Sequence, residues 1–167
     1  QKKIVETINF LTNKNILDYP YGVDGCGVPA FSAPLKIWGH ALARFADDKN
    51  LPDSLRNGKR LIANAICKEP FFIAGDNRIC TAIAETLGNK ITPKMGAEAV
   101  YFCSLNDLGL GLVLKCRDGS RRAVEYALGQ VLKLLNYKIS KKLAKHFNSE
   151  IYNLSGDIVG SKSIRLL

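Results

Sequence analysis

The stretch Asp24-Gly25-Cys26-Gly27-Val28-Pro29 places a carboxylate and a thiol two residues apart on a glycine-rich turn. Both side chains can point at one centre, and the glycines let the backbone come close to a ligand. These residue types suit metal ligation or a clamp on a substrate carboxylate. They equally suit a plain turn with a buried cysteine. There is no Cys-x-x-Cys pair and no His-x-x-x-His, so a closed zinc site made by this chain alone is not expected. A second stretch, Lys94-Met95-Gly96-Ala97-Glu98, ends a strand-like segment. A lysine at a strand edge beside a small residue can face a pocket and bind a carboxylate or tune a nucleophile; the plainer reading is a surface lysine. Cys80, close to Ile83 and Ala84 in a helical stretch, has the setting of a buried thiol. Cys103 and Cys116 fall in strand-like segments as packing residues, and Cys67 has no distinguishing context. His40 and His146 lie far apart in helical stretches and read as surface residues.

These residues are positioned by an α+β chain. Ile4, Val5, Ile8 and Leu11 give residues 2–13 the spacing of an amphipathic helix. Residues 18–34 carry three prolines and three glycines with Val23, Val28 and Phe31 interspersed, which reads as an ordered loop or a set of turns. Ile37, Ala41, Leu42 and Phe45 mark a second helix; a third starts at Pro52-Asp53-Ser54 and closes at Pro70; a fourth runs from about Arg78 to Leu87. The pattern then changes. Residues 90–95, 99–105 and 110–117 have strand lengths and strand composition, and Asn106 to Gly109 and Asp118-Gly119 supply turns. Three strands are expected, the last two a hairpin. Ser120 is placed to cap a helix whose face is Ala123, Ala127, Leu128, Val131 and Leu135. Residues 140–147 read as a short helix and residues 157–167 as a final strand.

Composition sets the outer bounds. A chain of 167 residues suits one domain. Its apolar fraction of 47% and charged fraction of 23% exclude wholesale disorder, a collagen-like fibre and a disulfide-stapled mini-protein. No apolar run approaches the roughly 20 residues of a membrane helix. Net charge is +9, with seven positive and two negative charges in residues 133–167. The lysines there lack interleaved arginines or stacking aromatics, so a solvated helix face and charged terminus is preferred over a nucleic-acid-binding tail. Five cysteines without regular spacing, and no signal peptide in the opening residues, favour a reducing cytoplasm with free thiols or metal ligation over disulfides.

Taken together, the segments resemble the type II L-asparaginase family of rhizobial type. The residues that carry the resemblance are Gly22 to Pro29, Ala33-Pro34-Leu35, Arg78-Ile79-Cys80-Thr81, Lys94 to Glu98, Gly109-Leu110-Gly111, Leu114-Lys115, Asp118-Gly119 and Asn153 to Gly160, in that order. The resemblance implies a fold like that of serine β-lactamases and glutaminases, in which a Lys-Thr-Gly triplet lies on an edge strand of the active site. Lys94-Met95-Gly96 stands where that triplet would be, with Met in place of the hydroxyl residue. The implied reaction is hydrolysis of the side-chain amide of asparagine by a serine nucleophile assisted by lysine. The implied roles are catalysis for Lys94, substrate binding for Gly96 and Glu98, and zinc ligation for Cys26 and Cys80 with Asp24 close by.

The family's Asn-Cys-Ser-Gly-Lys-His motif has no counterpart here, and none of the nine serines has a lysine three residues later. The start at Gln1 agrees with a chain that is the C-terminal half of such a protein. Partners are then expected to be asparagine and either the N-terminal half or further copies of the chain. Lys94 is expected to line a cleft beside the Asp24–Cys26 loop. The Cys26 and Cys80 sulfurs are expected within about 4 Å, the span of two thiolates on one zinc. A different class of reading is a fragment or split-gene product that binds a metal or partner without turnover.

Overall fold

Three antiparallel strands form the centre of the computed structural model, which describes residues 1–165. They are β3 (Ile91–Met95), β4 (Val100–Leu105) and β5 (Leu110–Lys115), in the order β3-β4-β5, with Ile91 opposite Leu105 and Val100 opposite Lys115. The period-two alternation of strands separates their side chains into two faces. Ile91, Met95, Tyr101, Cys103 and Leu105 are buried on one face. Against it pack α5 (Ile79–Leu87), α6 (Arg121–Leu134) and α7 (Lys141–Ala144), contributing Ile79, Ile83, Val124, Leu128, Leu132 and Leu143 to one core. The opposite face carries Thr92, Lys94, Phe102 and Ser104 and is covered by α1 (Lys2–Thr12) and α2 (Leu35–Ala46). A longer helix, α3 (Asp53–Lys68), leads through the one-turn α4 (Phe71–Ala74) into α5. The architecture is α+β, with seven α-helices among the described residues.

The helices and central strands stand where the hydrophobic periodicity places them. α1 ends at Asn13, whose φ of 53° is a left-handed stop. One local expectation changes in detail: Ser120 occupies the N-cap position of α6, but its side chain makes no cap hydrogen bond. The Asp118 carboxylate accepts from the Ser120 N–H instead, at 2.8 Å. Two further hairpins appear. β1 (Tyr21–Val23) pairs with β2 (Pro29–Phe31) within the segment read as turns, and β6 (Glu150–Tyr152) pairs with β7 (Ile158–Ser161). The final strand thus ends at Ser161, and residues 166 and 167 of the segment read as strand lie outside the described residues. No described helix is long and apolar enough to cross a membrane.

Two glycines let the layers close. A Cβ on Gly111 of β5 would lie 2.1 Å from the Gly39 carbonyl oxygen and 2.6 Å from the Ala43 amide nitrogen of α2. A Cβ on Gly129 of α6 would meet the Phe147 ring at 2.3 Å. The first contact is backbone on backbone and seats α2 directly on the sheet, which fixes how far α2 stands from Lys94.

Candidate active site

β3 is an edge strand, and its odd-numbered residues Ile91, Pro93 and Met95 are buried in the core. Alternation therefore turns Thr92 and Lys94 toward α1 and α2. Lys94 pairs in register with Phe102, and Thr92 with Ser104. These four residues form the floor of a cavity of about 260 Å³. Its walls are Ile8 and Leu11 of α1 and Trp38, Ala41 and Phe45 of α2. Trp38 and Phe102 meet with ring centroids 5.7 Å apart.

Lys94 is exposed at the rim of this cavity. Its ammonium donates to the Met95 carbonyl at 2.5 Å, and no described carboxylate lies within ion-pair distance of it. The hydroxyls around it already have partners. Ser104 donates to the Leu42 carbonyl at 3.4 Å, Thr92 accepts from the Asn106 amide at 3.0 Å, and Thr12 donates to the Ile8 carbonyl at 2.7 Å. An ammonium has three donors, so Lys94 keeps capacity for an incoming anion.

Gly96 and Glu98 do not line the cavity. Gly96 begins the turn to β4, and its N–H donates to the Val100 carbonyl at 2.8 Å. A Cβ there would touch Val100 at 3.4 Å, so tight closure of the turn is itself a reason for glycine. Glu98 and Ala99 both have φ of 51°. The Glu98 carbonyl accepts from Lys115 Nζ at 2.6 Å, and its carboxylate lies against Gly119, on the side of the β5–α6 turn.

Asp24 and Cys26 lie in the exposed turn between β1 and β2. The Asp24 carboxylate accepts from the backbone N–H of Cys26 at 2.8 Å and of Val28 at 3.1 Å, so it organises its own turn. No residue of this turn lines the Lys94 cavity. Cys80 occupies a different environment. It is 2% exposed, donates to the Tyr101 hydroxyl at 3.7 Å, and accepts from the Met95 N–H at 3.2 Å. Burial raises the Cys80 thiol pKa, partly offset by the Tyr101 and Met95 hydrogen bonds. Both cysteines are free thiols. Among the described residues, no three His, Cys, Asp or Glu side chains are grouped so as to hold a metal ion. Taken alone, the described residues do not fit a zinc centre.

The structure thus brings Lys94 together with residues the sequence did not single out: Trp38, Phe102, Thr92 and Ser104. Alternation along β3 and β4 was a usable signal for the last three. Trp38 comes from a helix more than fifty residues earlier, and nothing local reports that approach.

A family model described as L-asparaginase II matches residues 1–164. No curated protein matches the chain.

Proposed function

The chain belongs to the L-asparaginase II family, and on that premise we propose that it serves hydrolysis of the side-chain amide of L-asparagine, giving L-aspartate and ammonia. The observation that carries this reading is the extent of the family match, which includes Lys94 on its exposed sheet edge. The finer proposal is a site of serine β-lactamase-like plan with the Lys94-Met95-Gly96 strand as one wall. Asparagine is held at the rim, where the Lys94 ammonium meets its carboxylate or lowers the proton affinity of the nucleophile. Gly96 is proposed to let the backbone approach the substrate from the turn after β3, whereas Glu98, with its carboxylate against Gly119, is proposed to reach the substrate's amino group only if that side chain turns toward the rim.

The nucleophile is proposed to come from outside these 167 residues. The support is in the serines. Ser104 alone among them lines the Lys94 cavity, and it is 1% exposed with its hydroxyl turned to the Leu42 carbonyl. In the proposed cycle a serine Oγ attacks the amide carbon and its proton passes to the leaving ammonia. Water then cleaves the ester and returns the serine. No step is routed through zinc; Asp24 and Cys26 are proposed to meet such an ion only where further donors join them. Binding without turnover is the second reading, favoured by the same burial of Ser104.

The test is ammonia release from L-asparagine. The purified chain alone is expected to release none. Mixed with a polypeptide that carries the Ser-x-x-Lys segment of another family member, it is expected to release ammonia, and Lys94→Ala is expected to abolish the release. Turnover by the chain alone, lost on changing one of its own serines, would place the nucleophile here instead. A mixture that binds asparagine but never releases ammonia would support the non-catalytic reading.

A further inference from the structure

We infer that the cavity between α1, α2 and the β3–β4 face binds a small apolar monocarboxylate, with the apolar body among Leu11, Trp38, Phe45 and Phe102 and the carboxylate on Lys94 at the rim. The inference rests on the cavity itself and goes beyond the amidohydrolase reading.

Its walls are aliphatic and aromatic, and its volume is about 260 Å³. A dry cavity of about 150 Å³ with such walls takes up benzene, so this one has room for a ring with a short side chain. Ligand sites in general combine apolar walls with a few placed polar groups. Here the hydroxyls of Thr12, Thr92 and Ser104 are engaged with protein partners. Lys94 adds its stem to the wall, and its ammonium, with one donor on the Met95 carbonyl, keeps donors free at the rim, where its charge selects an anion. Asparagine brings an amide, an ammonium and a carboxylate on a short skeleton. The walls are mainly aliphatic and aromatic, and polar groups left unpaired among them are costly to desolvate. A molecule with one carboxylate and an apolar body satisfies both parts of the cavity.

The test uses the full chain and three probes of one shape: phenylpropanoate, phenylpropanol and phenylpropylamine. Binding is followed by calorimetry and by the emission of Trp38, which is the single tryptophan and stands in the cavity wall. The acid is expected to bind about tenfold more tightly than the alcohol, the scale of one charge-assisted hydrogen bond, and the amine more weakly than both. Lys94→Met, a change at an exposed position, is expected to bring the acid down to the affinity of the alcohol while the alcohol is unaffected. Ala41→Phe, which fills the cavity, is expected to remove binding of all three. Equal affinity of acid and alcohol, an acid preference that survives Lys94→Met, or absence of any heat and any change in Trp38 emission would overturn the inference. These measurements involve no turnover, so their failure is separate from failure of the asparagine test.

Discussion

A cysteine reacts through its thiolate, so its surroundings decide what it can do. Cys26 stands exposed in the β1–β2 turn, whereas Cys80 and Cys103 are buried in the core and burial raises both thiol pKa values. With a maleimide at neutral pH, Cys26 is expected to be labelled first and the half-buried Cys67 and Cys116 more slowly. Cys80 and Cys103 are expected to react only in denaturant. Peptide mass spectrometry of a time course reads the order; equal native rates at Cys26 and Cys80 would contradict the placement of Cys80. Asp118 gives a pH prediction. Its carboxyl is held below the ordinary 3.8 chiefly by the thiol of Cys116, which donates at 2.8 Å, then by the Ser120 N–H and the Arg122 charge. A depressed carboxyl stabilises the fold above its unfolded value, and that contribution is lost as pH falls through the folded value. Asp118→Asn is therefore expected to lower Tm at pH 7, with the difference vanishing in acid below the depressed value. A difference that persists unchanged at low pH would mean that the charge of Asp118 is not its cause. At this scale the sequence shows Lys94 on a strand, because strand composition and the following turn are local signals, while the edge position was implied by the family resemblance alone. It does not show that Asp24 spends its carboxylate on its own turn, since the same spacing serves a ligand pair equally well.

Helix α2 and strand β5 meet at Gly39 and Gly111, and that contact tests how the layers are held. An added methyl at Gly111 would run into the Gly39 carbonyl and the Ala43 amide, neither of which can move without moving α2. Gly111→Ala is expected to destabilise by about 2–3 kcal/mol or more in a urea titration, at the upper end for overpacking. It is also expected to change Trp38 emission, because α2 carries that residue. Gly129→Ala is the contrasting case. Its obstacle is the Phe147 ring, a side chain, so a second change Phe147→Leu is expected to recover part of the loss. No such recovery, or a neutral Gly111→Ala, would show that the close approach is not needed. The helices and the central strands were legible because each repeats its hydrophobic period over several turns or pleats. Hairpins β1–β2 and β6–β7 were not legible as pairs. Their strands have three or four residues, and the arms of β6–β7 are almost wholly exposed, so no alternation is written into them.

The whole molecule presents two opposing tendencies, and their balance is measurable. Leu61 of α3 is 73% exposed and Phe72 of α4 is 82% exposed, while Ile158 and Val159 stand out from hairpin β6–β7. Large apolar side chains exposed to water favour association where they meet those of another copy. The net charge of +9 opposes association of identical chains. Some of the C-terminal cations are engaged within the chain: Lys142 pairs with Glu85, and Lys162 lies over the Tyr126 ring at 5.6 Å. The remainder still produces long-range repulsion, which salt screens over about 10 Å at 0.1 M and about 3 Å at 1 M. Sedimentation is therefore expected to give a mass close to the 18.4 kDa monomer in dilute, low-salt solution and a larger mass as salt and protein concentration rise. Replacing Leu61 and Phe72 together by serine is expected to reduce the high-salt mass while lowering the unfolding free energy by no more than about 1 kcal/mol, about 0.5 for each exposed position. The sign of the salt effect separates this from retention on a polyanion, which weakens as salt rises. A chain that stays at the monomer mass through high salt, with the double variant indistinguishable from it, would show that the exposed apolar residues of α3 and α4 drive no association.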